Sequence, residues 1–340
     1  MPSRTRTPDR TLTTQAPTRV DFAGGTLDLW PLYLFFPGSR TLNAAIDRMS
    51  RVRLESIPRG YELVSVDQDR SLRASTLQDL EGSDELPLLG TFVRHFAPGS
   101  GVRVITENNA PAGSGLGGSS SLAVALGAAL AEWTGIEIES NALIRKVCDL
   151  EAQVLHTPTG IQDYYAAVHG GISLLHLEPG GVRHEALQDV SSWLGSRLVL
   201  CYTGAPHHSG LSNWEIYRRV VERDANTCAS LEEIAGVAAE MESALRAADP
   251  ERVAGALDRE WKARKQLAPQ VSTDRIEQVI GCALSSGALA AKVCGAGGGG
   301  CVLILSAEGR ASEVSEALRG RGFEVLSFRL QDSGLERRWN

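Results

Sequence analysis

Short runs of β-branched and aromatic residues mark the first part of the chain. Thr18 to Phe22, Arg51 to Ile57 and Tyr61 to Val66 read as strands. The apolar stretch Leu86 to Phe96 suits a helix, and Val102 to Thr106 returns to strand character. Beyond a glycine-rich break, apolar residues fall at 122, 126, 129, 130 and 133, the spacing of one helical face. Alanine and leucine fill most of the other faces as well, which predicts a central, buried helix. Ser140 reads as the N-cap of a helix reaching about His156.

After the turn at Gly180-Gly181, Ser196 to Thr203 reads as a strand, and helical patterns follow over 212–224, 229–247, 250–266 and 272–286. Ala288 to Cys294, Cys301 to Ser306 and Phe323 to Leu330 read as strands, with a helix near 310–320. This βαβ-like close predicts an α+β sandwich of ferredoxin type. Residues 1–14, with Arg4, Arg6 and Arg10 among Thr and Pro, predict a disordered lead-in.

At 340 residues the chain is long enough for one large or two ordinary domains. Its net charge of −7 argues against nucleic-acid or polybasic membrane partners, while leaving room for a local basic pocket. A small-molecule partner is expected. There is no apolar run of membrane-spanning length and no signal-peptide core at the N-terminus. The six cysteines, at 148, 201, 228, 282, 294 and 301, form no C-x-x-C pair, which predicts reduced core residues and a cytoplasmic protein.

The candidate chemistry centres on Pro111-Ala112-Gly113-Ser114-Gly115-Leu116-Gly117-Gly118-Ser119-Ser120-Ser121. Glycines let successive backbone N–H groups converge on an anion at the positive end of a helix dipole, and the serines are expected to cap that helix. A plain turn is one alternative. A dinucleotide fingerprint is another, because Gly113-x-Gly115-x-x-Gly118 follows a strand, with Glu137 or Glu139 about 20 residues on. The polar run Glu107-Asn108-Asn109-Ala110-Pro111 between strand and glycines weakens that fit. A Walker loop fails because Ser119 stands where its lysine belongs. What remains is a phosphate loop without a lysine.

Two more clusters narrow the reading: Ala16-Pro17-Thr18-Arg19-Val20-Asp21-Phe22-Ala23-Gly24-Gly25-Thr26-Leu27-Asp28, and Lys292-Val293-Cys294-Gly295-Ala296-Gly297-Gly298-Gly299-Gly300-Cys301. In this order the three resemble the three motifs of the GHMP kinases, the superfamily of galactokinase, homoserine kinase and mevalonate kinase. The resemblance runs from about residue 16 to 330. It implies ATP and Mg²⁺ as cofactors and an α+β fold: a ribosomal protein S5 domain 2-like N-terminal ATP-binding domain over 15–185 and a ferredoxin-like C-terminal domain over 190–340.

By that resemblance, Gly113, Ser114, Gly115, Leu116, Gly117, Gly118, Ser119 and Ser120 bind the ATP phosphates. Ser119 and Glu151 hold Mg²⁺, although Glu151 also fits a solvated helix carboxylate. Thr159-Gly160-Ile161-Gln162-Asp163-Tyr164 resembles the Gly-Ile-x-Asp run of galactokinases, which makes Asp163 the base; a helix-capping Asp is the alternative. Arg19 matches the basic residue of the first motif, and a strand-surface arginine is its alternative. Lys292 either approaches the phosphate or points to solvent.

Thr26, Asp28, Gln162, His207, Gly297 and Gly298 are the candidates for the acceptor pocket. Asp28 falls where galactokinases bind sugar hydroxyls, while Gly25 and Thr26 replace their Glu and His. The wording of the first motif and of Gln162-Asp163-Tyr164-Tyr165-Ala166-Ala167 looks closest to the sugar 1-kinases, the branch with D-glycero-D-manno-heptose 7-phosphate kinase, glucuronokinase and fucokinase. The implied reaction is phosphorylation of the anomeric C1 hydroxyl of a sugar or sugar phosphate. His207 and His208 stand where that branch tends to carry an arginine, or form an ordinary surface loop. The competing readings are a GHMP kinase for a non-sugar alcohol of mevalonate or homoserine type, an inactive sugar or nucleotide sensor, and an NAD-binding oxidoreductase. A homodimer is compatible with all of them.

Overall fold

The computed structural model describes residues 10–206 and 209–340. Strand β1 (Thr11–Ala23) begins earlier than its sequence pattern predicts and takes in residues 11–14 of the expected lead-in. These four residues are ordered by pairing on both edges, with β2 (Arg40–Ser56) and with β12 (Glu336–Trp339), and Leu12 and Thr14 are buried. The rest of the expected lead-in, residues 1–9, lies outside the described residues.

Strand β2 runs antiparallel to β1 along nearly its whole length, and its other edge is shared. Residues Ser50–Ser56 pair with β5 (Val102–Asn108), and Arg40–Ala44 pair with β6 (Ile172–Glu178). With β3 (Tyr61–Ser65), β4 (Arg70–Ala74) and β7 (Gly181–Ala186), this makes an eight-stranded sheet among the described residues. The stretch of β2 between these two partners is taken up by the C-terminal segment, through a bridge between Ile46 and Leu330.

Helix α1 (Pro87–Phe96) and α3 (Ser140–Leu155) flank α2 (Gly118–Thr134), which lies on β1 and β2. Residues 122–130 of α2 are all buried, as its apolar composition predicts. Thr14 Oγ1 donates to Ala125 O at 2.8 Å and Ser121 Oγ to Ala16 O at 2.8 Å, which fixes α2 on β1. Ser140 is the first helical residue of α3, with Glu139 at the cap position and no side-chain cap bond.

The second sheet contains β8 (Leu198–Tyr202), β9 (Ala288–Val293), β10 (Cys301–Ser306) and β11 (Glu324–Leu326) in the order β11-β8-β10-β9, antiparallel throughout. In chain order this is 4-1-3-2, the ferredoxin arrangement expected from the sequence. Helices α9 (Asp274–Ser285) and α10 (Ala311–Gly320) cover the face carrying Val199, Cys201, Val302 and Ile304. The other face, with Leu200, Leu303 and Leu305, packs on α7 (Ala225–Arg246), α8 (Pro250–Lys265) and the first sheet through Val20, Phe22 and Ile46. Strands β8 and β10 are therefore apolar at nearly every position rather than alternating.

Helices α4 (Gln162–His169), α5 (Ser191–Leu194) and α6 (Ser209–Val221) complete the α-helices among the described residues. The strand expected over Phe323 to Leu330 stops at Leu326. Beyond it the chain leaves the second sheet for the first: Asp47 N–H donates to Arg329 O and Gln331 N–H to Ala45 O, both at 2.9 Å, before the chain reaches β1 as β12. Those contacts form between residues about 280 to 330 positions apart, which no local pattern records.

Candidate active site

Strand β5 ends at Asn108, whose side chain shapes the loop that follows. Its Nδ2 donates to Gly118 O and its Oδ1 accepts from Ala110 N–H, both at 2.9 Å. The loop is also pinned from below: Leu116 O accepts the Arg19 N–H at 2.9 Å, Gly115 O accepts from Arg19 Nη1 at 2.5 Å, and Ser114 O accepts the Cys301 N–H at 2.7 Å. Gly117 takes a left-handed conformation (φ 74°) at the cap of α2, and no side chain caps that helix. The serines therefore do not cap α2 as expected; they lie inside its first turn. Its first N–H groups, which have no intrahelical acceptor, open on the cleft.

That cleft has a volume of about 600 Å³ and is lined by Gly113, Ser114, Gly115, Gly117, Gly118, Ser119 and Ser120 of the loop. Leu116 is fully buried and faces away from it. Glu151 reaches the same helix start from α3 while 1 % exposed, so it is not the solvated carboxylate of the alternative reading. Burial raises its pKa, and the hydroxyls of Ser119, Tyr164 and Ser120 oppose that rise. Tyr164 Oη donates to Glu151 Oε2 at 2.6 Å.

Asp163 lies in the first turn of α4, on the cleft and against the glycine loop. Arg19 Nε donates to its Oδ1 at 2.7 Å, with Nη2 at 2.6 Å from the same oxygen. Burial raises the Asp163 pKa, and Arg19 opposes this. Burial alone would lower the pKa of Arg19, but Asp163 and Asp21 more than reverse it, so the buried guanidinium stays charged. Arg19 is thus not a strand-surface residue.

The far wall of the cleft carries Gly25, Thr26, Asp28, Gln162, Asn213 and Arg264. Asp28 Oδ2 accepts the Gln162 N–H at 3.0 Å, and burial pushes the Asp28 carboxyl up to about 6. Gln162 Oε1 is buried without a protein partner. Arg264 Nη1 donates to Thr26 Oγ1 at 3.2 Å and Nη2 to Gly25 O at 3.0 Å.

Gly297 and Gly298 do not line the cleft; Gly298 N–H donates to Val271 O at 2.8 Å, and Gly295 and Ala296 face the cleft instead. The second glycine cluster serves the contact between loops, since a Cβ on Gly300 would sit 2.6 Å from Ser114 O. Lys292 takes neither of its expected roles. It is 0 % exposed and pairs with Asp21 and Glu260. His207 and His208 lie outside the described residues.

Arg264 carries no motif signal, and its i, i+4 partner Glu260 makes the pair read as a surface ion pair. The helical register held the clue, because 260 and 264 continue the line of buried Val253 and Leu257. Charges on that apolar face have to be paired inside the protein.

Two family models match the chain: the GHMP kinases N terminal domain over residues 88–171 and the GHMP kinases C terminal over 241–324. The chain is 25% identical over 337 residues to D-glycero-alpha-D-manno-heptose 7-phosphate kinase of Campylobacter jejuni, covering 96% of this chain and 98% of that protein. It is 27% identical over 350 residues to the bifunctional fucokinase/GDP-fucose pyrophosphorylase of Arabidopsis thaliana, covering 96% of this chain and 32% of that one, about a third of its length. The solved structure of a D-glycero-D-manno-heptose 1-phosphate kinase from Bacteroides thetaiotaomicron superposes with a TM-score of 0.78 at 25% identity, over 96% of this chain and 98% of that one.

The fold and these relatives together define an ATP-dependent phosphotransferase with an alcohol group as acceptor. The chain belongs to the GHMP kinases, and the dinucleotide reading of its glycine loop is set aside.

Proposed function

We propose that this GHMP kinase transfers the γ-phosphate of ATP to the anomeric C1 hydroxyl of a sugar or sugar phosphate. The observation that carries this reading is the convergence of Asp28, Gln162 and Asp163 on the cleft wall facing the start of α2. Asp28 and the unpartnered Gln162 Oε1 offer the closely spaced polar atoms that a polyhydroxylated acceptor needs. The relatives named for heptose phosphate and fucose substrates agree with a sugar.

In this reading the triphosphate lies on the backbone N–H groups of the glycine loop and α2, with the Ser119 and Ser120 hydroxyls beside it. Asp163 receives or orients the acceptor proton. Arg19 keeps Asp163 in place and adds positive charge beneath the group in transfer. Glu151 and Ser119 suit magnesium, because the buried carboxylate has no Lys or Arg pairing with it among the described residues and magnesium takes one or two carboxylates plus substrate phosphates. Bound there, the ion would neutralise charge building on the phosphates.

A screen of ATP consumption over free sugars, sugar phosphates, uronic acids, mevalonate and homoserine, with ³¹P NMR of the product, tests this. The expected product is a sugar 1-phosphate. A phosphate at another sugar position, or transfer only to mevalonate or homoserine, overturns it.

A further inference from the structure

Two residues beyond Arg19 on β1, Asp21 is fully buried and touches no part of the cleft. Its Oδ2 pairs with Lys292 Nζ from β9 in the second sheet, its Oδ1 accepts the Gly295 N–H at 2.9 Å, and Arg19 Nη1 lies 3.8 Å away. Lys292 Nζ is also 3.4 Å from Glu260 Oε2, and Glu260 Oε1 accepts from Arg264 Nε at 2.9 Å. A line of alternating charge, buried from Arg19 onward, therefore runs Asp163, Arg19, Asp21, Lys292, Glu260, Arg264. Three acids alternate with three bases, so the line is neutral overall. Cys294 beside it stays a neutral thiol, pushed up to about 12 by burial.

Stability alone is a weak reason for such a line, since buried ion pairs are often no better than apolar replacements. Placement is a stronger one. The Arg19 guanidinium has two carboxylates within reach, at 2.6 Å on Asp163 and 3.8 Å on Asp21. Which of them it favours depends on what else neutralises Asp21. Burial alone would raise the Asp21 pKa, but Lys292, then Arg19 and Arg264, reverse it, so Asp21 remains an anion well below the usual carboxylate range.

We propose that Lys292 and Asp21 are positioning residues: by satisfying Asp21 from the second sheet, Lys292 leaves Arg19 on Asp163 and on the Gly115 carbonyl. The proposal rests on the reading of Asp163 as the base. It makes activity depend on how the two sheets meet, because the neutralising charge and the charge it frees lie on different sheets.

Lys292→Met tests it by removing the charge while keeping a long unbranched side chain. Arg19 then moves toward the unpaired Asp21, and kcat falls by about tenfold or more while KM for ATP and titrated ATP affinity stay within about threefold. Adding Asp21→Asn removes the competing anion and keeps an acceptor for Gly295 N–H, so the double variant recovers most of the lost kcat. A folded Lys292→Met variant with wild-type kcat overturns the proposal, and so does a double variant as slow as the single one. Should Lys292→Met fail to fold, as judged by thermal melting, the double variant decides: kcat within about threefold of wild type supports the proposal, and a loss of about tenfold overturns it. Wild-type turnover in the acceptor screen is measured first. Its absence on every sugar counts against the proposed function, whereas the variant series speaks only to the placement of Arg19.

Discussion

Asp163 Oδ2 lies 2.9 Å from the point a β-carbon on Gly117 would occupy. The glycine that caps α2 and the carboxylate in the first turn of α4 are thus fitted against each other, and the contact sets the distance between helix start and candidate base. Gly117→Ala adds both this clash and the strain of a left-handed conformation, on the order of 1–2 kcal/mol. The expected outcome is a fall in kcat of about tenfold or more with a modest loss of melting temperature, read from steady-state kinetics beside thermal melts.

Asp163→Asn keeps the size of the side chain and removes its basicity. Transfer is expected to drop by about 10²- to 10⁴-fold, while ATP affinity by calorimetric titration stays nearly intact. Near wild-type turnover would remove Asp163 from the role of base.

Ser119→Ala deletes the exposed hydroxyl of the α2 first turn. The magnesium concentration needed for half-maximal rate is expected to rise several-fold, and Tyr164→Phe, which frees the Glu151 carboxylate, to raise it less. An unchanged metal dependence in Ser119→Ala takes that residue out of the ligand set.

Asp28 gives a pH-dependent signature. Its folded-state pKa of about 6 is above the ordinary 3.8, chiefly through burial. Its favourable contribution to stability is therefore present below about pH 4 and lost as pH rises through about 6, leaving a cost on the order of 3 kcal/mol at pH 8. Asp28→Asn removes that cost. Its melting temperature is expected to exceed wild type by a few degrees at pH 8, with the gap closing toward pH 4. Acceptor KM is expected to rise at the same time, which is the reason to retain a costly carboxylate there.

Much of the site was legible because its parts are local. The glycine run with its serines, Arg19 in a strand and Asp163 at a helix start are short motifs whose spacing is fixed by the backbone around them, and the structure brings them into one cleft with Glu151. The buried helix α2 followed from its apolar spacing, and the ferredoxin type of the second sheet from the βαβ-like succession of elements.

What the chain alone left open was decided by contacts between distant segments. Residues 11–14 lacked a strong strand pattern and became strand because β2 and the far C-terminus pair with them. Lys292 had two local readings, and neither held, because its ammonium pairs with Asp21 and Glu260 on separate elements. Arg264 entered the cleft wall without any motif, carried there by the buried face of α8. The sequence by itself determined where the glycine loop runs into a helix start and which side chains lie close to it along the chain, since those depend on neighbours a few residues apart. Tertiary structure alone decided how their charges are balanced, because a buried charge is stabilised by whatever partner the fold delivers, however far away that partner lies along the chain.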